Sequence, residues 1–337
     1  MKEQTQPSPD LFFDTITSYQ KTAALKAAVE LDLFTVLAQD PATACEVAVR
    51  CNASPRGVRM LCDYMTVLGF LGKSGDKYHV TQDSAVFLNR KSPAYAGGAI
   101  EFLLSDELVS GFNQLTAAVR RGGTTQSAQG STAPEHPMWI TFARVMGGLM
   151  VPASHGLAGL IPLEGGRAAK VLDVSASHGM WGIAFAQRYP DSQLVALDWA
   201  PVLEVAKENA RAAGVLDRFS TINGSAFDVD LGKDYDLVLV PNFLHHFSSS
   251  DCICFLKKAH AALRSGGRIA IVEFIPNPDR ISPAQAAGFS IVMLATTPDG
   301  DAYTAAEYSE MLSHAGFNPP TLHDLPASVN KVLIAVK

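Results

Sequence analysis

Charge is scarce in this chain: 18% of its 337 residues are charged, with 27 Lys and Arg against 33 Asp and Glu and a formal net charge of −6. That balance supplies no basic field for a nucleic acid or an anionic membrane, so neither partner is expected. Small uncharged molecules suit such a protein better. Cysteine is sparse and odd in number. Cys45, Cys51, Cys62, Cys252 and Cys254 have no paired C-x-x-C spacing, which argues against a disulfide framework or a metal site and reads as reduced thiols. No apolar run approaches the roughly 18 residues of a membrane span, and the start MKEQTQPSPD has no apolar h-region; a soluble, cytoplasmic location is expected. Hydrophobic side chains are plentiful at 47%, enough for two cores in a chain of this length. The pattern places a first domain at 11–98 and a second at 99–337, after a disordered lead-in at residues 1–10.

The first domain reads as helical over roughly 11–38, with Leu25, Ala28, Val29 and Leu33 on one stripe. Thr43 and Glu46 make a candidate capping box for a short helix. Ser54-Pro55 reads as N-cap and N1 of another, whose Val58, Leu61, Cys62, Met65 and Leu68 recur at helical spacing up to Gly69. Phe70–Thr81 holds two strand-like arms around Lys73-Ser74-Gly75-Asp76, a hairpin wing. Helices followed by a wing suggest DNA binding. Charge opposes it, because residues 1–90 carry nine Lys and Arg against ten Asp and Glu, and the candidate recognition helix offers only Arg56 and Arg59.

A helical connector follows over about 99–160, interrupted by a Gly/Ser/Thr/Gln-rich stretch, Gly122–Ser131, that reads as a mobile loop. Within the connector, Phe142, Met146 and Met150 fall at i, i+4 and i+8 on one helix face. They are either plain core or a pocket wall. After Gly165-Gly166 the pattern alternates. AKVLDV (169–174), QLVALD (193–198), DLVLV (236–240) and RIAIVEF (268–274) are short apolar runs of the kind found in buried parallel strands. Between them lie helices, one opened by Pro201 and striped by Val202, Val205, Ala206 and Asn209. Another carries Cys252, Phe255, Leu256, Ala259 and Leu263 inward and stops at Ser265-Gly266-Gly267. This specifies an α/β fold with a doubly wound, Rossmann-like sheet, and KVLIAVK would supply its last edge strand.

Ligands of such sheets bind beyond the carboxyl ends of the strands. The first strand ends in Asp173-Val174-Ser175-Ala176-Ser177-His178-Gly179, a tight turn with serines and alanine where glycines are usual. A ligand is accommodated there if Gly179 alone takes the φ > 0 position. The second strand ends in Asp198-Trp199, 25 residues after Asp173. Asp198 either accepts the hydroxyls of a ribose or caps the helix at Pro201. The third strand region gives Gly224-Ser225-Ala226-Phe227, and the fourth gives Asn242-Phe243-Leu244-His245-His246-Phe247.

Together these residues resemble the S-adenosyl-L-methionine (SAM)-dependent small-molecule O-methyltransferases of the caffeate, acetylserotonin and polyketide type. The likeness runs from about Leu11 through the wing, Arg56-Gly57-Val58, the LHHF segment, the LRSGGRIAIVEF block and Met293–Phe317. It implies a class I SAM-methyltransferase sheet behind an N-terminal winged-helix dimerisation domain, and an interlocked homodimer whose partner helix near Tyr19 closes the substrate pocket. It implies that Asp173, Ser175 and Gly179 hold the methionine end of SAM, that Asp198 holds the ribose with Trp199 beside the adenine, and that Ser225, Ala226, Phe227 and Asn242 complete the cofactor site. The general base maps onto His245, oriented by Glu273. A second supporting glutamate of the family falls at Ala302, leaving Asp301 as its neighbour.

A histidine suits that place because a hydroxyl attacking a methyl carbon must shed its proton, and a neutral imidazole accepts one near pH 7. Either imidazole of the pair could instead be a satisfied structural histidine. Trp139, Phe142, Met146, Met150, His246, Phe289 and Met293 would line an apolar, aromatic-accepting pocket. The alternative is a methyltransferase-fold enzyme that rearranges, cyclises or hydroxylates its substrate with SAM as a structural or electrostatic element.

Overall fold

The computed structural model describes residues 7–163 and 168–337. The first six residues of the lead-in and the Gly165-Gly166 boundary lie outside them. The chain divides into two compact units, one ending at Ile100 and the other running from Glu101 to Lys337.

The first unit contains α1 (Asp10–Ile16), α2 (Ser18–Glu30), α3 (Leu33–Leu37), β1 (Ala42–Thr43), α4 (Ala44–Arg50), α5 (Pro55–Val67), β2 (Leu71–Ser74), β3 (Lys77–Val80) and α6 (Gln82–Phe87). The expected helical zone is thus three helices, the last entered through Asp32 in the left-handed region (φ 55). Thr43 and Glu46 close the capping box reciprocally, a device worth about 1 kcal/mol. Pro55 opens α5, where Val58, Cys62 and Met65 are buried. Three short strands pair as β1-β3-β2, the last two forming the wing. Asp63 on α5 takes Lys73, Tyr78 and Arg59, so one of the two arginines of that helix is already paired. Helix α1 buries no residue, and Leu11, Phe12, Phe13, Ile16 and Tyr19 stand exposed.

The second unit begins with the connector: α7 (Ile100–Leu103), whose first residue belongs to the preceding unit, then α8 (Asp106–Asn113), α9 (Leu115–Arg121) and α10 (Met138–Leu160). Next come β4 (Lys170–Val174), α11 (Met180–Arg188), β5 (Gln193–Asp198), α12 (Ala200–Ala212), β6 (Phe219–Asn223), β7 (Tyr235–Pro241), α13 (Ser249–Ala262) and β8 (Leu263–Glu273). The chain finishes with α14 (Ala284–Thr296), α15 (Ala305–His314), β9 (Thr321–Asp324) and β10 (Lys331–Val336). The seven-stranded sheet has the order β6-β5-β4-β7-β8-β10-β9. Strands β4 to β8 pair in parallel, while β10 is antiparallel to both neighbours. Alternate strand residues feed two cores. Leu172, Val174, Val238, Val240, Ile269 and Ile271 face α13 and α15; Val171, Leu237, Leu239, Ala270 and Val272 face α10 and α11. Burial on both faces is why these strands read as unbroken apolar runs.

Three expectations are corrected. KVLIAVK is an inner strand, because β9, a mostly exposed segment with a single aliphatic residue, forms the edge beyond it. Ser265-Gly266-Gly267 does not follow the helix as a free stop: α13 ends at Ala262 and these residues belong to an irregular start of β8. The stretch 122–131 is pinned instead of mobile. Thr124 donates its N–H to Thr297 O at 2.8 Å, Gln126 Nε2 reaches Glu107 O at 2.6 Å, and Gly130 lies where a Cβ would come within 2.2 Å of Thr296 O. Its small residues permit close approach to the end of α14, which composition alone reads as flexibility. No helix of the described residues is long and apolar enough to cross a membrane, and the five cysteines are unpaired.

Candidate active site

Winding reverses at β4. Strands β5 and β6 extend the sheet to one side, and the chain then returns to place β7 on the other. The crevice outside the carboxyl ends of strands at such a reversal is where open α/β sheets bind ligands. The turns after β4 and β7 both emerge there.

The first turn carries Ser175 at φ 53, Ser177 at φ 52 and Gly179 at φ 75. The condition that Gly179 alone take a left-handed position is therefore not met: three residues do, and two are serines. Both serines sit in the small αL well open to L-residues, at a cost of roughly 1–2 kcal/mol each. The turn keeps its path without its usual glycines. Below it Asp173 is fully buried; Oδ2 accepts from Gly182 N at 2.9 Å, while Oδ1 has no partner among the described residues. Burial pushes its carboxyl up to about 8. The Ser177 hydroxyl is likewise buried and unpartnered among the described residues.

Asp198 closes the turn from the neighbouring strand. Its Oδ2 accepts from Ser177 N at 2.8 Å and its Oδ1 from Trp199 N at 2.7 Å, and burial raises its carboxyl to about 6. It does not cap α12; the N-cap residue is Trp199, with no side-chain bond.

The second turn is held by Glu273, buried at the end of β8. Its Oε1 gathers the backbone N–H groups of Phe243, Leu244 and His245 at 3.1, 2.9 and 3.3 Å, and its Oε2 lies 2.5 Å from His245 Nδ1. Convergent backbone donors are a fitting cradle for a buried carboxylate. His245 Nε2 lies 3.2 Å from His246 Nε2. Burial, and secondly His245, hold the His246 imidazole well below its ordinary value. Gly300 permits the packing behind this turn, since a Cβ there would fall 2.3 Å from His245 O.

Rings connect the two turns. His178 of the first stacks on Phe142 at 6.2 Å, Phe142 meets Trp139 at 5.8 Å, and Trp139 stands edge-on to His246 at 5.2 Å. His245 then meets Phe289, which stacks on Phe274 at 4.0 Å. His246 and Phe289 thus flank His245, with Trp139 against His246 and Phe142 one ring further out. Met293 is buried on α14, Met146 is half-buried, and Met150 packs against the helical core of α10 and α11, as the plain-core reading has it. Asp301 is not brought to His245; its carboxylate pairs with Arg280 at 3.3 Å and accepts from Ala302 N. Asn242, at φ 52, accepts at its amide oxygen from Asn330 Nδ2. Ser225 accepts from Phe227 N, and Phe227 joins Phe243, Phe247 and Phe255 in an aromatic cluster beside buried Ala226.

Sequence reasoning missed His178. It is a buried imidazole, lowered to about 4 by desolvation, with Nδ1 accepting from Met180 N. One large ring in a turn of small residues was the available signal. Among the described residues no cluster of His, Cys, Asp or Glu could hold a metal ion.

Comparison with known proteins identifies the family. Residues 163–318 match the O-methyltransferase domain family and residues 13–90 the O-methyltransferase dimerisation domain. The chain is 30% identical over 341 residues to the 3-hydroxy-5-methyl-1-naphthoate 3-O-methyltransferase of Streptomyces sahachiroi, covering 98% of this chain and 95% of that one. It is 28% identical to a tetracenomycin polyketide 8-O-methyltransferase of Streptomyces glaucescens, over 89% and 88% of the two chains. A crystal structure of a candidate O-methyltransferase from Nostoc punctiforme superposes with a TM-score of 0.95 at 52% identity, over 99% of this chain and all of that one. The chain therefore belongs to the SAM-dependent small-molecule O-methyltransferases, the family that joins a dimerisation domain to a doubly wound methyltransferase domain.

Proposed function

We propose that the protein transfers the methyl group of SAM to a hydroxyl of an aromatic or polyketide-like small molecule, with His245 as general base and S-adenosyl-L-homocysteine as the second product. The carrying observation is the contact between Glu273 and His245. An ionised carboxylate only accepts, so a proton on Nδ1 leaves the lone pair on Nε2, the atom that takes the proton of the acceptor hydroxyl. Such help is worth about 10² to 10⁴ in rate.

The residues after β4 and β5 fit the cofactor. Its amino-acid end carries an ammonium, and the crevice offers the unpartnered Asp173 Oδ1 and Ser177 Oγ. A carboxyl raised by burial regains its charge beside a cation. Ser175 and Gly179 bring the backbone of the turn alongside. Asp198 keeps a further lone pair on each oxygen for ribose hydroxyls, while Trp199, Ser225, Ala226 and Phe227 border the adenine and Asn242 closes the β7 side. Once bound, the cofactor supplies an electrophilic methyl on a positive sulfur.

The ring contacts around His246 support a flat aromatic acceptor, as do relatives named for a naphthoate and for the tetracenomycin polyketide. Residues 11–98 serve as the dimerisation domain and 99–337 as the catalytic one. The exposed apolar face of α1 supports a homodimer, and the unpaired cysteines suit a reducing cytoplasm. The test is calorimetry with SAM and S-adenosyl-L-homocysteine, then transfer of labelled methyl to naphthols and polycyclic phenols. Absence of heat with either removes the cofactor. Binding without label in any product returns the non-methylating alternative.

A further inference from the structure

The lone pair assigned to His245 Nε2 is already engaged. With Nδ1 donating to Glu273, the 3.2 Å contact between the two Nε2 atoms needs one hydrogen, and the His246 ring supplies it. His246 is then the Nε2–H tautomer, and its Nδ1 is a bare acceptor. That nitrogen is buried and has no hydrogen-bond partner among the described residues. For a hydroxyl to reach His245 directly it must displace His246, leaving both nitrogens of a half-buried ring, one of them already buried without a partner among the described residues, unpaired at the desolvation penalty such groups carry. A hydroxyl that donates to His246 Nδ1 breaks nothing and satisfies the one orphaned acceptor.

We propose that His246 is the residue that touches the acceptor hydroxyl, and that the two imidazoles form a proton relay from it to the Glu273-supported ring. The inference rests on the His245–Glu273 reading above. As the acceptor oxygen bonds to the methyl carbon, the carbon–sulfur electron pair remains on sulfur. The O–H bond breaks and its proton goes to His246 Nδ1, while the His246 Nε2 proton passes to His245 Nε2. His246 ends neutral in its other tautomer, and His245 ends as an imidazolium against the Glu273 carboxylate. Burial of His246 opposes holding the charge there, which favours passing it on to the ring that has a carboxylate partner.

Two measurements on the full chain test this. Nitrogen-15 correlation spectra of the histidine-labelled protein with S-adenosyl-L-homocysteine should show His245 protonated at Nδ1 and bare at Nε2, and His246 the reverse. A proton on His246 Nδ1 overturns the relay, whether or not any acceptor has been found. With labelled SAM and 2-naphthol as the acceptor probe, H246F should lose about 10² to 10⁴ of kcat, with KM for the probe within threefold and S-adenosyl-L-homocysteine affinity unchanged. Added imidazole should restore H246A in a concentration-dependent way, which a purely structural role would not produce. If H246F keeps kcat within threefold while H245F is inactive, the relay falls and direct abstraction by His245 stands. If both variants keep kcat, the general-base reading falls and the relay with it.

Discussion

Glu273 grips His245 twice, through Oε2 to the ring nitrogen Nδ1 at 2.5 Å and through Oε1 to the backbone N–H at 3.3 Å. One carboxylate thereby sets the tautomer of the ring and the conformation of the turn that carries it. E273Q separates these duties. The amide oxygen can still collect the three N–H groups, but the amide nitrogen forces His245 to carry its proton on Nε2. We expect kcat to fall about 10² to 10⁴ with the melting temperature shifted by only a few degrees. Activity within threefold of wild type would show that the pair is not the base.

Asp173 gives cofactor binding a pH dependence. Its folded carboxyl is raised to about 8 by burial, so without ligand it contributes stability that is complete below its ordinary value near 3.8 and lost as pH rises through about 8. A bound cation reverses the preference and expels the proton. Calorimetry with S-adenosyl-L-homocysteine at pH 7 in buffers of differing ionisation enthalpy should report release of a proton, and D173N should abolish it. Equal heats in all buffers would count against this carboxyl as the ammonium partner.

His178 acts in the opposite sense. Its folded value is depressed to about 4 by desolvation, so its contribution is present above about 6.5 and lost as pH falls through 4. His246, also lowered, adds to the same acid-side loss. H178N, whose amide oxygen can take the Met180 N–H, should flatten the melting-temperature profile between pH 6.5 and 4 without removing it. An unchanged slope would mean that the ring protonates freely.

Ser177 holds a left-handed conformation and a buried hydroxyl without a partner among the described residues. S177G relieves both, offset by the greater freedom of an unfolded glycine. A net gain of about 1 kcal/mol, roughly 2–4 °C in a unit of this size, is the expected result by thermal melting. A fall would mean that the Ser177 hydroxyl stabilises the turn.

The exposed Leu11, Phe12 and Ile16 of α1 should lie in the homodimer contact. L11E/F12E should shift the mass in light scattering from dimer toward monomer at micromolar concentration. A wild-type monomer would place the contact elsewhere or nowhere.

The parallel core of the sheet was legible because strands buried on both faces leave unbroken apolar runs. Strand β9 was not, since TLHD is mostly exposed and carries one aliphatic residue. Topology pointed to the strand ends that carry Asp198, His245 and Glu273, and the family resemblance singled out His245 and Glu273 among the residues there. Asp301 could not be resolved the same way: its direction depends on Arg280, a partner 21 residues away on another loop. Nor does composition reveal which serines adopt φ > 0, or that Gly130 serves contact with Thr296 and not freedom of movement. Those are facts of packing, fixed only when distant segments meet.

Trp139 stands edge-on to His246, 5.2 Å between ring centres. An excited indole surrenders an electron to a neighbouring imidazolium far more readily than to a neutral imidazole, so its emission dims when charge arrives next door. The chain holds three tryptophans, and this one meets His246. Its emission is an indicator, with no dye attached, of which ring takes the charge: a relay that leaves His246 neutral should leave it bright through turnover, and a proton held on His246 should dim it.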